Sequence, residues 1–541
     1  MTIPQYEIGD MAFGLALGDH WHALAAGAGV TLGVMALSRV PGFSACTAAV
    51  YNWVAMLGQS AAFKPDDLRR EGHKFGVLRA LVGALIIWRY APILYSAAAS
   101  GSSVQIAMAS AALVLAVMLT LGLFIPIVAL VLGMSINLVI DTQLSNPGLG
   151  SLLVAILCTG LVLYPWSEWS ADAWLMRRGG LIGRMIQTVY SPWGIPSAAA
   201  ARVARMVPFL AYASISLYSS WEHLHDPMWR AGDVVGFLMV MPLTNPKTYE
   251  WFSAFAGAWP NIYHWLSVVA TAGMIVWQMA MLPLVLLSKY TRWFVIIWGI
   301  PFFIASEHLL NIKMLGVFEY VLWAWVFINL RPRQATTAEV SPRAAWAPRG
   351  YVTAVTILLA VFIARLPVAT GWAEPNAVSE KLNHWFGPAN LVVGVSQIDV
   401  FNRYDLVVYQ HFVPFEMLDD SGQFVGAKLP KDEVFSSRLT AVHRGIARQP
   451  VYCAAKLLRD ALGLLAADHR YAGKTLRTNF YSVGLPGSDG KSKQELICSV
   501  TGTIGPDGKP HTEVLVTDLG RSLAEKAWAG TPPDSWYNVT W

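Results

Sequence analysis

The run VQIAMASAALVLAVMLTL (residues 104–121), followed after Gly122 by LFIPIVALVLGMSINLVI (residues 123–140), holds no Asp, Glu, Lys, Arg or His. A helix of about 20 mostly apolar residues crosses the hydrocarbon core of a bilayer. Two such lengths back to back read as two consecutive membrane-spanning helices. Outward from them, segments of the same character lie near residues 21–37, 75–99, 149–164, 207–221, 262–287, 293–306, 314–330 and 351–368. Residues 41–58 leave open a further, shorter or re-entrant piece. Composition agrees with this reading. Of 541 residues, 55% are apolar and 13% charged, about half the charge of an ordinary soluble protein. The expected architecture is a polytopic α-helical membrane protein of about ten spans, followed by a C-terminal extracytoplasmic α+β domain.

Lys and Arg enrichment marks cytoplasmic loops. Lys64, Arg69, Arg70 and Lys74 fall in one loop, and Arg177, Arg178, Arg184, Arg202 and Arg205 in a second. Lys289 and Arg292 mark a third; Arg331, Arg333, Arg343 and Arg349 mark a fourth. The loops near 100–103, 141–148, 222–261 and 307–313 are Lys-poor. Rich and poor loops alternate, which places the N-terminus and everything after about residue 370 outside a plasma (bacterial inner) membrane. Residues 1–19 contain no Lys or Arg and so lack a signal peptide's positive n-region, leaving the first span as the insertion signal. The chain divides into an N-terminal segment with the first span (1–74), a helical membrane domain (75–370) and the external domain (371–541).

In that external domain, alternation over 390–399, 405–415 and 474–483 predicts strands. A hairpin is expected from 496–504 and 512–518 around Gly505-Pro506-Asp507-Gly508. Residues 449–467 read as an amphipathic helix. Cys453 and Cys498 both lie here, and in an oxidising compartment they form a disulfide candidate, with two unpaired buried thiols as the alternative. Cys46 and Cys158 lie in apolar stretches.

Titratable side chains collect at the outward ends of the spans. Asp19, His20 and His22 precede the first, while Glu222, His223, His225 and Asp226 end the sixth. His264 opens the seventh; Glu307 and His308 end the eighth. Imidazole with carboxylate suits a transition metal, although no His-Glu-x-x-His spacing is present. Three readings stay open: a metal site drawn from His225, Asp226, His264, Glu307 and His308; an acid/base site without metal; and polar-tipped anchors at the interface. Within the spans, Arg89 either snorkels or pairs with Asp141 or another carboxylate. Arg365 lies close enough to the outer end to snorkel, and Gln278 is placed to hydrogen-bond between helices. The 23 tryptophans cluster at span ends as an aromatic belt. No Gly-rich loop with Lys-Ser/Thr marks a nucleotide site, and no basic stripe interleaved with aromatics marks nucleic acid. Asn538-Val539-Thr540 matches a glycosylation acceptor.

Residues from about 75 to 330 resemble the horizontally transferred transmembrane domain (HTTM) family, the fold of vitamin K-dependent γ-glutamyl carboxylase and its bacterial relatives. The resemblance rests on Val77-Leu78-Arg79-Ala80-Leu81-Val82-Gly83 and on the loop from Asp141-Thr142 to Gly150, leading to Pro165-Trp166-Ser167 and Ser170-Ala171-Asp172. Its most specific piece runs from Glu222 to Gly232 (EHLHDPMWRAG), similar to the family's Lys-Leu-x-x-Pro-x-Trp-x-x-Gly. Glu307-His308-Leu309-Leu310 with Gly316-Val317-Phe318 is similar to a late family helix. Anchored on Leu224, Pro227 and Trp229, the carboxylase's lysine pair falls on Glu222 and His223, the second being the position of its catalytic base. A histidine, with an ordinary pKa of about 6.5 against about 10.4 for lysine, can serve as a base near neutrality. The carboxylase's active-site histidine has no counterpart in Leu144-Ser145-Asn146-Pro147-Gly148, so the departures point away from vitamin K-driven glutamate carboxylation.

The resemblance implies a membrane enzyme with an outward-opening site at His223 and Glu222. It would modify an exported peptide or act on a quinone-like or lipidic molecule, with a quinone-like cofactor or a transition metal. The alternative is a non-catalytic subunit or anchor of a larger membrane complex, whose partners would be other subunits. Transport has no support from paired broken helices in symmetric halves.

Overall fold

The protein is seen as a computed structural model that describes residues 20–63, 67–100, 103–141, 149–240, 245, 248–305, 315–327, 345–365, 388–395, 416–426, 473–486, 492–506 and 510–527. Helices α1 (His20–Leu37) and α2 (Pro41–Ser60) meet at a bend of 111°. The piece left open in the sequence is therefore a helix. It starts at Pro41, where proline's fixed φ suits the first turn. Then come α3 (Leu68–Ser100), α4 (Ser103–Leu121) and α5 (Ile125–Ser135), which runs on through a π-helical turn at Ile136–Ile140. Next are α6 (Leu149–Leu163), α7 (Ala171–Arg178), α8 (Gly180–Tyr190) and the long α9 (Ala198–His225). Short α10 (Pro227–Ala231), α11 (Val234–Val240) and α12 (Tyr249–Ala258) lead to α13 (Pro260–Leu287), α14 (Lys289–Ile304), α15 (Leu315–Phe327) and α16 (Trp346–Ala364).

Every apolar segment read from the sequence is helical over most of its length. That follows from chemistry, since backbone groups in hydrocarbon must be satisfied within the segment. Length is a stricter test. Leu68–Leu94, Pro260–Leu287 and Trp346–Ala364 are long and apolar enough to cross a membrane, and the bent α1–α2 pair makes up to a fourth. Ile106–Leu121, Ile125–Ile140, Gly150–Leu163 and Gly316–Phe327 are apolar but shorter. The centre of the bundle is α6, buried from Gly150 to Tyr164 among α3, α5, α9 and α15.

The turn between α4 and α5 is held from both sides. Arg79 donates to the carbonyls of Leu119, Thr120 and Trp169, so a cation covers the carbonyl end of α4. The Asp172 carboxylate accepts from the N–H groups of Phe124 (2.9 Å) and Ile125 (3.1 Å) and from the Tyr190 hydroxyl (2.7 Å), which caps the start of α5. Two pieces of sequence singled out together, around Arg79 and around Asp172, thus meet at one helix end.

Residues 388–395 depart from the expected strand over 390–399. They form a 3-10 turn (Pro388–Val393) against α1, α5, α6, α16 and the π turn, with residues 389–395 buried. The Asn137 side chain donates to the Leu391 carbonyl at 3.3 Å. Gly27 and Gly394 allow the close approach, because a Cβ at either would collide with Val392 or with Leu152 and Ile156. Buried on all sides by helices, this segment needs no alternation of polar and apolar residues, and a non-helical backbone is tolerated where protein surrounds it. The helical body therefore includes part of the region expected to begin the external domain.

Among the described residues, the C-terminal region contains one antiparallel sheet, β1 (Glu416–Leu418), β2 (Phe424–Gly426), β3 (Thr475–Pro486), β4 (Ser492–Ile504) and β5 (Pro510–Val516), in the order β2-β1-β3-β4-β5, followed by α17 (Asp518–Ala527). The expected hairpin is β4–β5, and the strand expected over 474–483 is β3. β3 lies beside α11 and α12. The strand expected over 405–415, the helix over 449–467 and Cys453 lie outside the described residues. Cys498 takes its backbone place in β4 opposite Phe480 and Val516. Cys46 is exposed and Cys158 buried.

Candidate functional site

The segment from Glu222 to Gly232 builds a tight corner between α9 and α13. Asp226 has extended backbone (φ −78°, ψ 126°), and its carboxylate accepts from the N–H groups of Met228 (2.8 Å) and Trp229 (3.3 Å). Asp at the cap, followed by Pro at the first helical position, starts α10. Gly232 ends it at φ 81°, a left-handed conformation that favours glycine. The Gly232 carbonyl then accepts from the hydroxyls of Ser267 and Thr271 on α13. A Cβ at Gly232 would stand 2.7–2.8 Å from Val268. The corner turns Trp229 back onto α9, where its indole stacks on the His223 imidazole with centroids 3.5 Å apart and planes 11° apart. Both are buried.

His223 is therefore in the protein interior, facing neighbouring helices rather than acyl chains. Its Nε2 lies 3.4 Å from the Ser219 hydroxyl. One step along, Ser220 donates to the Gln278 side-chain oxygen on α13 at 3.3 Å, the interhelical bond expected of Gln278. Tyr212, Ser216, Ser219, Ser220 and His223 recur at helical spacing on α9, and all are buried. At the far end of this stripe the Tyr212 hydroxyl donates to Glu319 on α15 at 2.8 Å. With a rise of about 1.5 Å per residue, Tyr212 and His223 are about 16 Å apart along the helix. The sequence reading did not single out Glu319 or the serines. Their signal was the spacing 212, 216, 219, 223, which puts hydroxyls and an imidazole on one line of an otherwise apolar helix.

Of the other expected ligands, Asp226 caps α10 through Oδ1. His264 Nδ1 pairs with Asp233 Oδ1 at 3.2 Å, half-exposed. The side chain of His225, and Glu307 and His308 entirely, lie outside the described residues. Among the described residues no three His, Cys, Asp or Glu side chains come together to hold a metal.

A second polar centre lies where the π turn ends. Asp141, buried, accepts from the Tyr90 and Ser151 hydroxyls and from Arg89 Nη2 at 3.2 Å. Of the two fates open to Arg89, the structure takes pairing. The third centre is at the start of α9, where Arg205 Nη2 pairs with Glu71 Oε2 at 2.6 Å, both fully buried, and Arg205 Nε donates to the Trp325 carbonyl at 3.3 Å. Arg205 was read as a loop charge, and here the structure corrects the loop. α9 begins at Ala198, capped by the Ser197 hydroxyl on the Ala200 N–H, so Arg202 and Arg205 belong to the helix. Arg292 is likewise committed inside, donating to the carbonyls of Val285 and Ser60.

Comparison of the chain with protein-family models, with curated proteins and with solved structures finds no match.

Proposed function

We propose that the chain is an integral membrane enzyme of the HTTM, carboxylase-like kind, with an acid/base site at His223 and Glu222, acting on an exported peptide or on a quinone-like or lipidic molecule. In this reading about ten spans cross the membrane, and both the His223 end and the sheet face outside. The observation that carries it is His223 itself, a buried imidazole held flat against Trp229 at the head of a hydroxyl-bearing stripe. Ionisable groups buried among membrane helices are costly and mark sites of chemistry or pairing. Imidazole is a side chain whose ordinary pKa lies near neutrality, and Glu222 places a carboxylate next to it in the chain, the two kinds of group general acid/base work uses. The place of β3 beside α11 and α12 supports a shared side for the sheet and the His223 corner.

Purification of the full chain from native membranes tests this. Wild type should carry a small molecule or peptide, identified by mass spectrometry, and His223→Ala should lose it at near-normal expression. A stoichiometric protein partner, retained unchanged by His223→Ala, would favour the competing reading of a non-catalytic complex subunit. That reading draws on β5, an edge strand among the described residues with Leu515 65% exposed, the kind of edge another chain can extend. The orientation is tested separately, by single cysteines at Arg177 and Ser421. An impermeant thiol reagent on intact cells should label residue 421 and spare 177; the reverse pattern would invert the topology.

A further inference from the structure

Helices α7 and α8 form a hairpin that the site does not use. Gly179 and Gly180, at φ 72° and 76°, make the turn. Gly183 brings the helices close, since a Cβ there would stand 2.6 Å from the Leu175 carbonyl oxygen. α8 buries Ile186 and Tyr190 against Ile125, and Tyr190 hydrogen-bonds Asp172, the cap of α5. The hairpin is thus fixed to the turn joining two apolar helices, the depth at which a spanning pair re-enters the headgroup region.

On its outer side α8 presents Leu181 (71% exposed), Ile182 (55%) and Met185 (55%), with Trp174 of α7 at 47%. At about 100° per residue, residues 181, 182 and 185 share one arc, beside the buried arc of 186 and 190. Around this row stand Arg177, Arg178 and Arg184, all exposed. Arg178 lies over the Trp174 ring at 4.0 Å, and Glu168 stands 3.4 Å from Arg177. An apolar row fringed by arginines, held at span-end depth, has the composition of an interfacial amphipathic helix. Water is a poor partner for the row, and phosphate oxygens suit the guanidinium forks.

We infer that the α7–α8 hairpin is a lipid-binding surface, with Leu181, Ile182 and Met185 seated at the acyl boundary and Arg177, Arg178 and Arg184 gathering anionic phospholipid headgroups. The inference does not depend on the chemistry at His223. To test it, the full-length protein is placed in phosphatidylcholine nanodiscs containing a minority of phosphatidylglycerol, and the lipids retained on release are counted by native mass spectrometry. Wild type should enrich phosphatidylglycerol on the order of fivefold over the bulk mixture, less at high salt. Arg177→Gln/Arg178→Gln/Arg184→Gln should fall to near the bulk ratio, while the corresponding Lys variant keeps most of the enrichment. Leu181→Ser/Ile182→Ser/Met185→Ser should lower it as well, because the helix no longer seats. Arg184→Gln alone gives the same direction should the triple variant not be recovered. Wild type at the bulk ratio, or enrichment untouched by the Gln variants, would overturn the assignment.

Discussion

The two ends of α9 solve the problem of a buried polar residue in opposite ways. At Arg205 the charge meets a second charge, Glu71, at 2.6 Å with neither side chain exposed, and Lys74 stands 3.6 Å from the same carboxylate. At His223 an indole face stacks on the imidazole and a serine hydroxyl lies 3.4 Å from its Nε2. In the first arrangement, removing either partner strands a charge in low dielectric. The second is built on the stacking of two rings. One helix thus carries a structural clamp at its beginning and the proposed site at its end. Phe209 lies between Arg205 and Tyr212 on the same helix, packed edge-on with Phe63 and Phe327. It separates the clamp from the polar stripe.

The largest effect should come from breaking the clamp. Glu71→Gln keeps the shape and removes the charge, leaving Arg205 buried with a neutral partner. Loss of one partner of a buried pair costs about 3–5 kcal/mol, to be read as lower thermal stability of the detergent-purified protein. Glu71→Leu combined with Arg205→Met should recover most of it, because an apolar pair strands no charge. An unfolding midpoint unmoved by Glu71→Gln would erase the contrast between the two ends.

The next effect belongs to the corner. Gly232→Ala forces a left-handed conformation on an L-residue, costing about 1–2 kcal/mol, and pushes a methyl into Val268, adding about 1–3 kcal/mol. The corner also orients Trp229, so this variant should disturb the His223 stacking together with stability. Trp fluorescence is crowded in this chain, and the imidazole proton shifts of selectively labelled histidine give the cleaner readout. A variant as stable as wild type, with unchanged His223 shifts, would show that the corner does not position the site.

These contrasts were only partly legible in the sequence. Apolar runs announce helices because the hydrocarbon core allows little else, and the Gly505–Gly508 turn announced β4–β5. Arg89 with Asp141 could be named because both sit where an apolar stretch makes a charge conspicuous. Glu71 and Arg205 could not be paired, since 134 positions separate them and nothing local says that α9 starts as early as Ala198 except the Ser197 cap. Residues 388–395 misled for a related reason: 389–395 are buried among helices that, apart from α16, the sequence places more than two hundred residues away. Asp226 shows a third difficulty: by residue type it reads as a metal ligand, but an Asp immediately before Pro is equally a helix cap, and its Oδ1 takes that place here.

The smallest effect probes whether the polar stripe acts as one unit. Ser220 is a weak link to remove, since its hydroxyl also donates to the Ser216 carbonyl at 2.7 Å and only at 3.3 Å to Gln278. Hydrogen bonds between membrane helices average about 0.6 kcal/mol in double-mutant cycles. Ser220→Ala, Gln278→Ala and the double variant should therefore give a coupling of about that size, with little change in stability from either single replacement. If instead the coupling rises well above about 1 kcal/mol, the stripe is a cooperative network. Ser219 and His223 would then be held by Gln278 across the bundle, and the His223 shifts should move in Gln278→Ala. A coupling near zero assigns Gln278 to local packing. It would then restrict the proposed site at the end of α9 to the corner itself, where Trp229 stacks on the imidazole.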